Sequence, residues 1–186
     1  QSISVNPGIL TTYSVTVTNT CGTVTDSKMV SVDSQVNANA GSDLALCNGD
    51  SIQLTGTGGV NYSWLPTTGL SDPNISNPIA TPTAPITYVL TVSSACGVDK
   101  DSVFINVNPT PESTFLITND TLCINESNTI TYSGTQLSGA NYNWDFNGGA
   151  AIGSNVGPYT VSWSAAGIKT ISLFVVANGC YSDTTE

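Results

Sequence analysis

Short runs of alternating apolar and polar residues recur along the chain, and one of them recurs as a complete pattern. Residues 87–107 read TYVLTVSSACGVDKDSVFINV, and residues 12–32 read TYSVTVTNTCGTVTDSKMVSV, 75 positions earlier and without a gap. This alternation has the period of two that is typical of a half-buried strand. A looser third copy begins at Thr170. The chain is therefore predicted to be an array of one β-rich module.

Further landmarks place the boundaries of the modules. Cys123 stands 76 positions after Cys47, and the run NYNW at 141–144 answers NYSW at 61–64 at an offset of 80. We predict that residues 1–35 are the C-terminal part of a truncated module, whose opening half is expected upstream of Gln1. Residues 36–109 are predicted to form a complete module, and residues 110–186 a third one without its last strand. Six or seven short strands in about 75 residues are typical of a β-sandwich.

In the middle module, the repeated pattern divides into two strands and a turn. Residues 88–92 and 103–107 alternate between apolar and polar positions and are predicted strands. Residues 93–99 are mostly small or polar and are predicted to turn the chain. Asp99 and Asp101 are therefore expected in a loop.

Composition supports an all-β fold and limits the partners. Hydrophobic residues make up 39% of the chain, Arg is absent and Lys occurs three times. Val, Ile, Thr and Tyr fill the patterned runs, as expected for strands. With 13 acidic residues the net charge is −10, so we expect no binding to nucleic acid or to anionic membranes, whose phosphates need cationic side chains. Because no run of 18 apolar residues occurs, we expect no membrane-embedded segment.

The five cysteines indicate disulfides rather than a metal site. The chain has no CxxC motif and no His. In each of the two later modules, one Cys precedes the second strand and another follows the Tyr-containing strand. We predict the pairs Cys47–Cys96 and Cys123–Cys180, each within one module, with free thiols as the alternative. Cys21 corresponds to Cys96, and its partner is expected upstream of the chain; such disulfides imply an oxidising, extracytoplasmic setting.

The sequence offers little for catalysis and only scattered groups for a cation. Without His, a serine nucleophile has no ordinary base, and no glycine-rich phosphate loop is present. We therefore expect neither an enzyme nor a cofactor. Calcium is the open alternative, because oxygen-rich turns suit a hard cation, and single carboxylates stand in predicted turns or at strand ends at Asp43, Asp50, Asp99, Asp101 and Asp145. Solvated turn carboxylates are the simpler interpretation.

The three Trp residues fall into two groups. Trp64 and Trp144 occupy corresponding positions beside Tyr62 and Tyr142, and they are predicted to fill the sandwich cores. Trp163 has no counterpart in the middle module. It is therefore the candidate for an exposed aromatic that stacks on a ligand, with a core position as the simpler interpretation.

These residues resemble the PKD-like and immunoglobulin-like repeats of large secreted proteins of the Bacteroidota, including gliding-motility-associated adhesins exported by the type IX system. The middle module carries the pattern in residues 47–97. The third module is similar to the PKD type, because NYNWDFNGG at 141–149 resembles the Trp-Asp-Phe-Gly-Asp-Gly signature, from which it departs at Asn147 and Gly149. The resemblance implies an all-β protein of tandem immunoglobulin-like (PKD-like) β-sandwich modules.

The same resemblance implies candidate O-glycosylation sites. Proteins of this group can carry glycans at Asp-Ser or Asp-Thr followed by an apolar residue or Thr. Four positions fit that motif, namely Ser51, Ser102, Thr121 and Thr184.

The resulting hypothesis is a non-catalytic, extracellular or cell-surface segment of an adhesin or stalk protein. Disulfide-locked modules would hold a distal binding region away from the cell. The expected partners are neighbouring repeats of the same chain, with surface glycans or other cells as further candidates. Two alternatives stay open: a carbohydrate-binding or spacer module of a secreted hydrolase, and a subunit of a surface filament that grows by strand addition.

Overall fold

The fold is that of a computed structural model, which describes residues 2–186. In that range the regular structure consists of fifteen strands, and no helix has the length and apolar character needed to cross a membrane. The first eight strands are β1 Thr11–Asn19, β2 Gly22–Val30, β3 Leu44–Cys47, β4 Ile52–Gln53, β5 Asn61–Leu65, β6 Ile79–Ala80, β7 Ile86–Ser94 and β8 Gly97–Asn108. The others are β9 Phe115–Ile117, β10 Ser127–Tyr132, β11 Asn141–Asp145, β12 Ala150–Ile152, β13 Tyr159–Ser162, β14 Ser172–Ala177 and β15 Cys180–Tyr181.

Contacts between residues divide the chain into two compact units. The first consists of the chain up to Gly41, together with Gln53–Pro78 and Tyr88–Val103. The second consists of Ser42–Ile52, Ile79–Thr87 and Phe104–Glu186. The boundaries of the three predicted modules stay a prediction.

The first unit begins with an antiparallel hairpin of β1 and β2, in which Asn19 is paired with Gly22. Its apolar side chains are open to solvent, since Val15 is 59% exposed and Val17 63% exposed. The corresponding residues of β7 in the repeat, Leu90 and Val92, are fully buried. The same sequence pattern is therefore exposed to solvent in β1 and packed against a core in β7.

The core of the first unit forms around Trp64 in β5. Trp64 is paired with Leu90 across β5 and β7, and both side chains are fully buried. The indole N–H of Trp64 donates to the Ile75 carbonyl at 3.0 Å, and the hydroxyl of buried Tyr88 donates to the Thr68 carbonyl at 2.6 Å. The buried polar tips are thus satisfied, and the core position predicted for Trp64 is confirmed.

Strand pairing in this part of the chain gives a four-stranded sheet in the order β3-β8-β7-β5 and a small sheet of β4 and β6. β3 lies parallel to β8, with Leu44 opposite Ile105 and Cys47 opposite Asn108. β3 is therefore an edge strand of its sheet, and its last residue is level with the last residue of β8.

The second unit contains a β-sandwich. One sheet has the order β12-β13-β10-β9 and the other the order β11-β14-β15. Buried apolar side chains form two clusters, one of Ile130, Val161 and Ile171, and one in which Tyr132 from the first sheet packs with Leu173 and Val175 from the second. Trp144 on β11 is half-buried and joins this core, as predicted for it.

The turn predicted at residues 93–99 is present but shorter than predicted, and the loop position predicted for Asp99 and Asp101 is wrong. β7 continues to Ser94 and β8 begins at Gly97, so only Ala95 and Cys96 connect the two strands. The polar residues that follow Gly97 broke the apolar alternation in the sequence, but their backbone still pairs. Asp99 and Asp101 consequently lie on a strand, where residues two positions apart share a face.

Candidate functional site

A disulfide joins Cys47 to Cys180, whose Cα atoms are 5.7 Å apart and which stand 133 positions apart in the sequence. Cys47 ends β3, an edge strand of the sheet β3-β8-β7-β5, and Cys180 begins β15 in the sheet β11-β14-β15. The bond therefore connects strands of two different sheets. By sequence position these sheets belong to the second and third of the predicted modules, and both cysteines lie in the second compact unit.

Hydrogen bonds hold the backbone around this disulfide. The Asn48 N–H donates to the Asn108 carbonyl at 2.8 Å, and the Asn108 side-chain amide donates to the Asn178 carbonyl at 3.3 Å. Cys180 is only 1% exposed, so its sulfur is protected from reductants. We call these residues, together with Cys47, the junction.

The predicted pairs Cys47–Cys96 and Cys123–Cys180 are wrong. One cysteine of each predicted pair is in the disulfide, and the other two, together with Cys21, are exposed thiols. The structure thus brings together two predicted disulfide cysteines that the sequence assigned to different predicted modules.

The register of β3 explains why Cys47 does not reach Cys96. Cys47 is opposite Asn108, the last residue of β8, whereas Cys96 immediately precedes Gly97, the first residue of the same strand. A strand of 12 residues extends about 40 Å. Because disulfides need Cα atoms within about 7 Å of each other, Cys47 cannot bond to Cys96.

Cys123 and Cys180 are also separated by a strand. Cys123 lines a cleft with Trp163 and Lys169, at the end of the sandwich where β14 begins. Cys180 follows β14 and is paired with Ala177, the last residue of that strand. The six residues of β14 extend about 20 Å, which excludes a bond between these two cysteines.

Three cysteines share one place in the repeat, at the end of a hairpin. Cys21 connects β1 to β2, Cys96 connects β7 to β8, and Cys180 opens β15 directly after the β14 turn. The first two turns are built alike, because the Cys21 N–H donates to the Asn19 side chain at 2.8 Å and the Cys96 N–H donates to the Ser94 hydroxyl at 3.0 Å. We call these residues the tip cysteines.

The other two cysteines share a second place in the repeat, before a tight turn. The Asp50 N–H donates to the Cys47 carbonyl at 3.0 Å, and the Glu126 N–H donates to the Cys123 carbonyl at 3.1 Å. The residue that precedes each donor has a positive φ, 97° in the first turn and 65° in the second. We call Cys47 and Cys123 the edge cysteines, so the observed disulfide joins one edge cysteine to one tip cysteine.

Asp99 and Asp101 fasten the segment before β3 to β8. The Asp99 carboxylate accepts a hydrogen bond from the Ala38 N–H, and the Asp101 carboxylate accepts one from the Ala40 N–H, each at 2.8 Å. Hydrogen bonds from the N–H groups of Ala40 and Ser102 hold the pKa of Asp101 below its ordinary value of 3.8. These two carboxylates therefore have a structural role in the fold.

Two further calcium candidates also bind backbone. The Asp43 carboxylate accepts from the Phe104 N–H, and the Asp145 carboxylate accepts from the Asn147 N–H, each at 2.8 Å. Across residues 2–186, no three His, Cys, Asp or Glu side chains come together in a group that could hold a metal ion. The carboxylates singled out in the sequence are dispersed over the fold rather than gathered around one point.

Trp163, the candidate ligand-stacking residue, is half-buried and packs against the core cluster of Ile130, Val161 and Ile171. Its indole N–H donates to the Phe146 carbonyl at 2.8 Å. The outer side of the residue lines the cleft already described, which has a volume of about 370 Å³. Trp163 is thus both a core residue and a cleft residue.

All four candidate glycosylation sites are exposed, as modification requires: Ser51, Ser102, Thr121 and Thr184. Whether glycans occupy them stays a prediction.

The Cys47–Cys180 disulfide is the feature that sequence reasoning missed. The offsets of the repeat do identify the tip and edge cysteines as two classes. They do not show that the first strand of the module is parallel to its last strand, and this pairing alone puts the edge cysteine at the far end from the tip cysteine. The 12 residues that follow Cys96 form the long strand β8, and their length was the available signal that Cys96 and Asn108 lie far apart.

Comparisons with known proteins show the fold. No protein-family model matches the chain, and no curated protein sequence matches it. A crystal structure of the N-terminal eight Ig domains of Down Syndrome Cell Adhesion Molecule (DSCAM) is similar over 95% of this chain, with 14% identity and a TM-score of 0.58. This chain spans about 30% of the length of that DSCAM structure.

The extracellular domains 3–5 of Drosophila OTK are similar over 95% of this chain and 69% of that one, with 10% identity and a TM-score of 0.55. The chain is therefore an all-β protein of tandem Ig-like β-sandwich modules.

Proposed function

We propose that this chain is a non-catalytic, extracellular repeat segment of a cell-surface adhesin or stalk protein, in which successive modules are fastened to each other by disulfides. The observation that carries the proposal is the Cys47–Cys180 bond, because it joins two different sheets 133 positions apart. A bond inside one domain would stabilise that domain. A bond between consecutive domains keeps an array in register under load.

The mechanical consequence follows from the path that force takes through the chain. When the two ends are pulled, tension passes from Cys47 to Cys180 through the disulfide, and the residues between them carry none of it. Those residues include most of both sandwiches, which remain folded while the bond is intact. The array then transmits tension through a covalently continuous path.

Single-molecule force spectroscopy tests this role. In the oxidised chain, the 133 positions enclosed by the disulfide cannot extend, so reduction lengthens the fully unfolded chain by roughly 460 Å. Cys47→Ser gives the same lengthening without reductant. Cys96→Ser is the matched control, and its unfolded length equals that of the unaltered chain. An equal lengthening in both variants would mean that Cys47 pairs with Cys96 and would end the proposal.

The setting of the protein is part of the proposal. A disulfide fits an oxidising compartment, and the similar structures come from a cell adhesion molecule and from extracellular domains. We place the chain outside the cell or on its surface, with neighbouring repeats as its first partners and surface glycans or other cells as candidates for adhesion. Its origin in PKD-like arrays of the Bacteroidota, with type IX secretion and gliding motility, rests on the sequence resemblance.

A second candidate function is carbohydrate binding at the cleft beside Trp163. The cleft has a volume of about 370 Å³ and combines an aromatic side chain with the polar side chains of Asn119, Asp120 and Lys169. Sugars are commonly recognised by such a combination of stacking and polar contacts. The module would then serve as a binding appendage of a secreted hydrolase.

A glycan array separates the two functions. Saturable binding that is lost in Lys169→Ala, and kept in the control Lys100→Ala on β8, would support the carbohydrate-binding function. Trp163→Phe is the aromatic test, because Trp163→Ala would also open the core that the residue packs against. No binding to any glycan would remove this function and leave the mechanical one untouched.

A further inference from the structure

Cys96 lies beside a backbone group that has a defined counterpart in the junction. Its Sγ is 3.5 Å from the carbonyl oxygen of Asp33. In the repeat, residues 12–32 match residues 87–107, so Asp33 corresponds to Asn108. Asn108 is the residue opposite Cys47 in the pairing of β3 with β8.

The two places share a second geometric feature. In the junction, the turn before Cys180 contacts Asn108, because the Asn108 amide donates to the Asn178 carbonyl at 3.3 Å. The tip cysteine Cys96 contacts Asp33 in the opposite direction, because its thiol donates to the Asp33 carbonyl. In both places, the end of a hairpin lies against the residue that follows the previous copy of the repeated pattern.

What differs is the strand that supplies the edge cysteine. Residues 106–108 belong to β8, and β3 pairs with them. Their counterparts, residues 31–33, lie outside every strand, and β2 ends at Val30. Val32 is 44% exposed, whereas its counterpart Val107 is half-buried. Residues 31–33 and the tip cysteine Cys96 thus correspond to residues 106–108 and Cys180 of the junction, but within residues 2–186 no strand equivalent to β3 pairs with them.

We propose that Val30–Asp33 and Cys96 are the receiving half of a second junction, and that its occupant is an edge strand of another repeat of this type, which adds parallel to β2 and ends in a cysteine opposite Asp33. The disulfide rule of the array is then that each tip cysteine bonds to the edge cysteine of the strand that pairs with the preceding copy of the repeated pattern. The same rule makes the exposed edge cysteine Cys123 the donor half of a junction with the tip cysteine of another repeat. This inference rests on the proposed role of the disulfide as a link between modules.

The chemistry is a two-electron oxidation of two thiols. The Cys96 Sγ and the Sγ of the incoming edge cysteine form one S–S bond and lose two protons. The two electrons pass to a disulfide-carrying oxidant, which is reduced to two thiols. Because Cys96 is exposed, such an oxidant can reach it.

The test uses thiol–disulfide exchange with a peptide of the β3 sequence. The probe is SDLALCNGD, residues 42–50, with its cysteine carried as a mixed disulfide with thionitrobenzoate. Attack by the Cys96 thiolate transfers the peptide to Cys96 and releases coloured thionitrobenzoate. The register control is SDLACLNGD, in which the Leu and Cys are exchanged, because a slip of one residue turns a strand side chain to the opposite face.

Two variants of the full chain allow a matched comparison. Cys21→Ser with Cys123→Ser leaves Cys96 as the reactive thiol, and Cys96→Ser with Cys123→Ser leaves Cys21, which has a similar turn and exposure. We expect Cys96 to react about tenfold faster with the probe than with the register control, because the paired strand aligns the two sulfurs. We expect Cys21 to react equally with both peptides.

Equal reactivity of Cys96 with the two peptides would overturn the proposal. So would a preference for the probe that is just as large at Cys21, since it would come from the peptide rather than from the receiving strand. Either result would leave the lengthening of the chain on reduction unchanged, so it would not count against the Cys47–Cys180 link itself.

Discussion

At the scale of single residues, the carboxylates illustrate how an apparent binding site can be part of the fold. Asp99 and Asp101 stand two apart on β8, and each accepts a hydrogen bond from a backbone N–H more than 60 positions earlier, at Ala38 and Ala40. The counterpart of Asp101 in the repeat is Asp26, which accepts from the neighbouring Ser27 N–H at 2.9 Å. The same residue type therefore has a long-range role in one copy and a local role in the other.

Asp101→Asn should lower the free energy of unfolding by about 1 kcal/mol at neutral pH, because a hydrogen bond to a charged acceptor becomes a weaker one to a neutral amide. The pKa of Asp101 is below 3.8 in the folded chain, so its contribution is fully present above about pH 4 and is lost as the pH falls through the lowered pKa. Urea unfolding of the variant and the unaltered chain at pH 7 and near pH 2 measures this.

Asp26→Asn is the control for that experiment, and we expect it to change the stability by less than about 0.5 kcal/mol. If Asp101→Asn lowers the free energy of unfolding by the same amount at both pH values, the account is contradicted. The stabilisation lost in the variant would then not depend on the charge of Asp101.

Some residue roles could be predicted from the sequence and others could not. Alternation identified Trp64 and Trp144 as core residues, since their strands follow the period of two. The roles of Asp99 and Asp101 depend on where a distant backbone segment passes, which a local pattern does not contain. Trp163 had no counterpart to compare with, and its position between core and cleft is set by the packing of two sheets.

At the scale of elements, the hairpin β1–β2 and the hairpin β7–β8 carry the same sequence pattern in different surroundings. The repeat predicted both pairs of strands because strand pairing follows local alternation and turn residues. It could not predict burial, which depends on what packs against the pattern. Val15 is 59% exposed, and its counterpart Leu90 is fully buried.

This contrast gives a matched pair of substitutions. Leu90→Ala removes a fully buried side chain beside Trp64 and should cost about 2–5 kcal/mol of unfolding free energy. Val15→Ala at the equivalent position should change it by less than about 0.5 kcal/mol, because that side chain has little burial to lose. Denaturant unfolding monitored by Trp fluorescence compares the two, and similar losses from both would mean that the β1–β2 hairpin has a packed core in solution.

At the scale of the whole molecule, the central feature is the bond between the edge cysteine Cys47 and the tip cysteine Cys180, which the sequence assigned to successive predicted modules. The sequence predicted the fold class, since tandem Ig-like sandwiches follow from short strands and a repeat. It predicted that cysteines bond, but it placed the bonds inside the modules. The parallel pairing of β3 with β8 is a long-range feature. It places Cys47 at the opposite end of β8 from Cys96, so Cys47 bonds to Cys180 instead.

Peptide mapping under non-reducing conditions tests this bond directly. The three lysines, Lys28, Lys100 and Lys169, divide the chain into four tryptic peptides, and Cys180 is in the last, residues 170–186. We predict that this peptide is linked to residues 29–100, and that the link persists in Cys96→Ser and disappears in Cys47→Ser. A link from residues 170–186 to residues 101–169, which contain Cys123, would contradict the account.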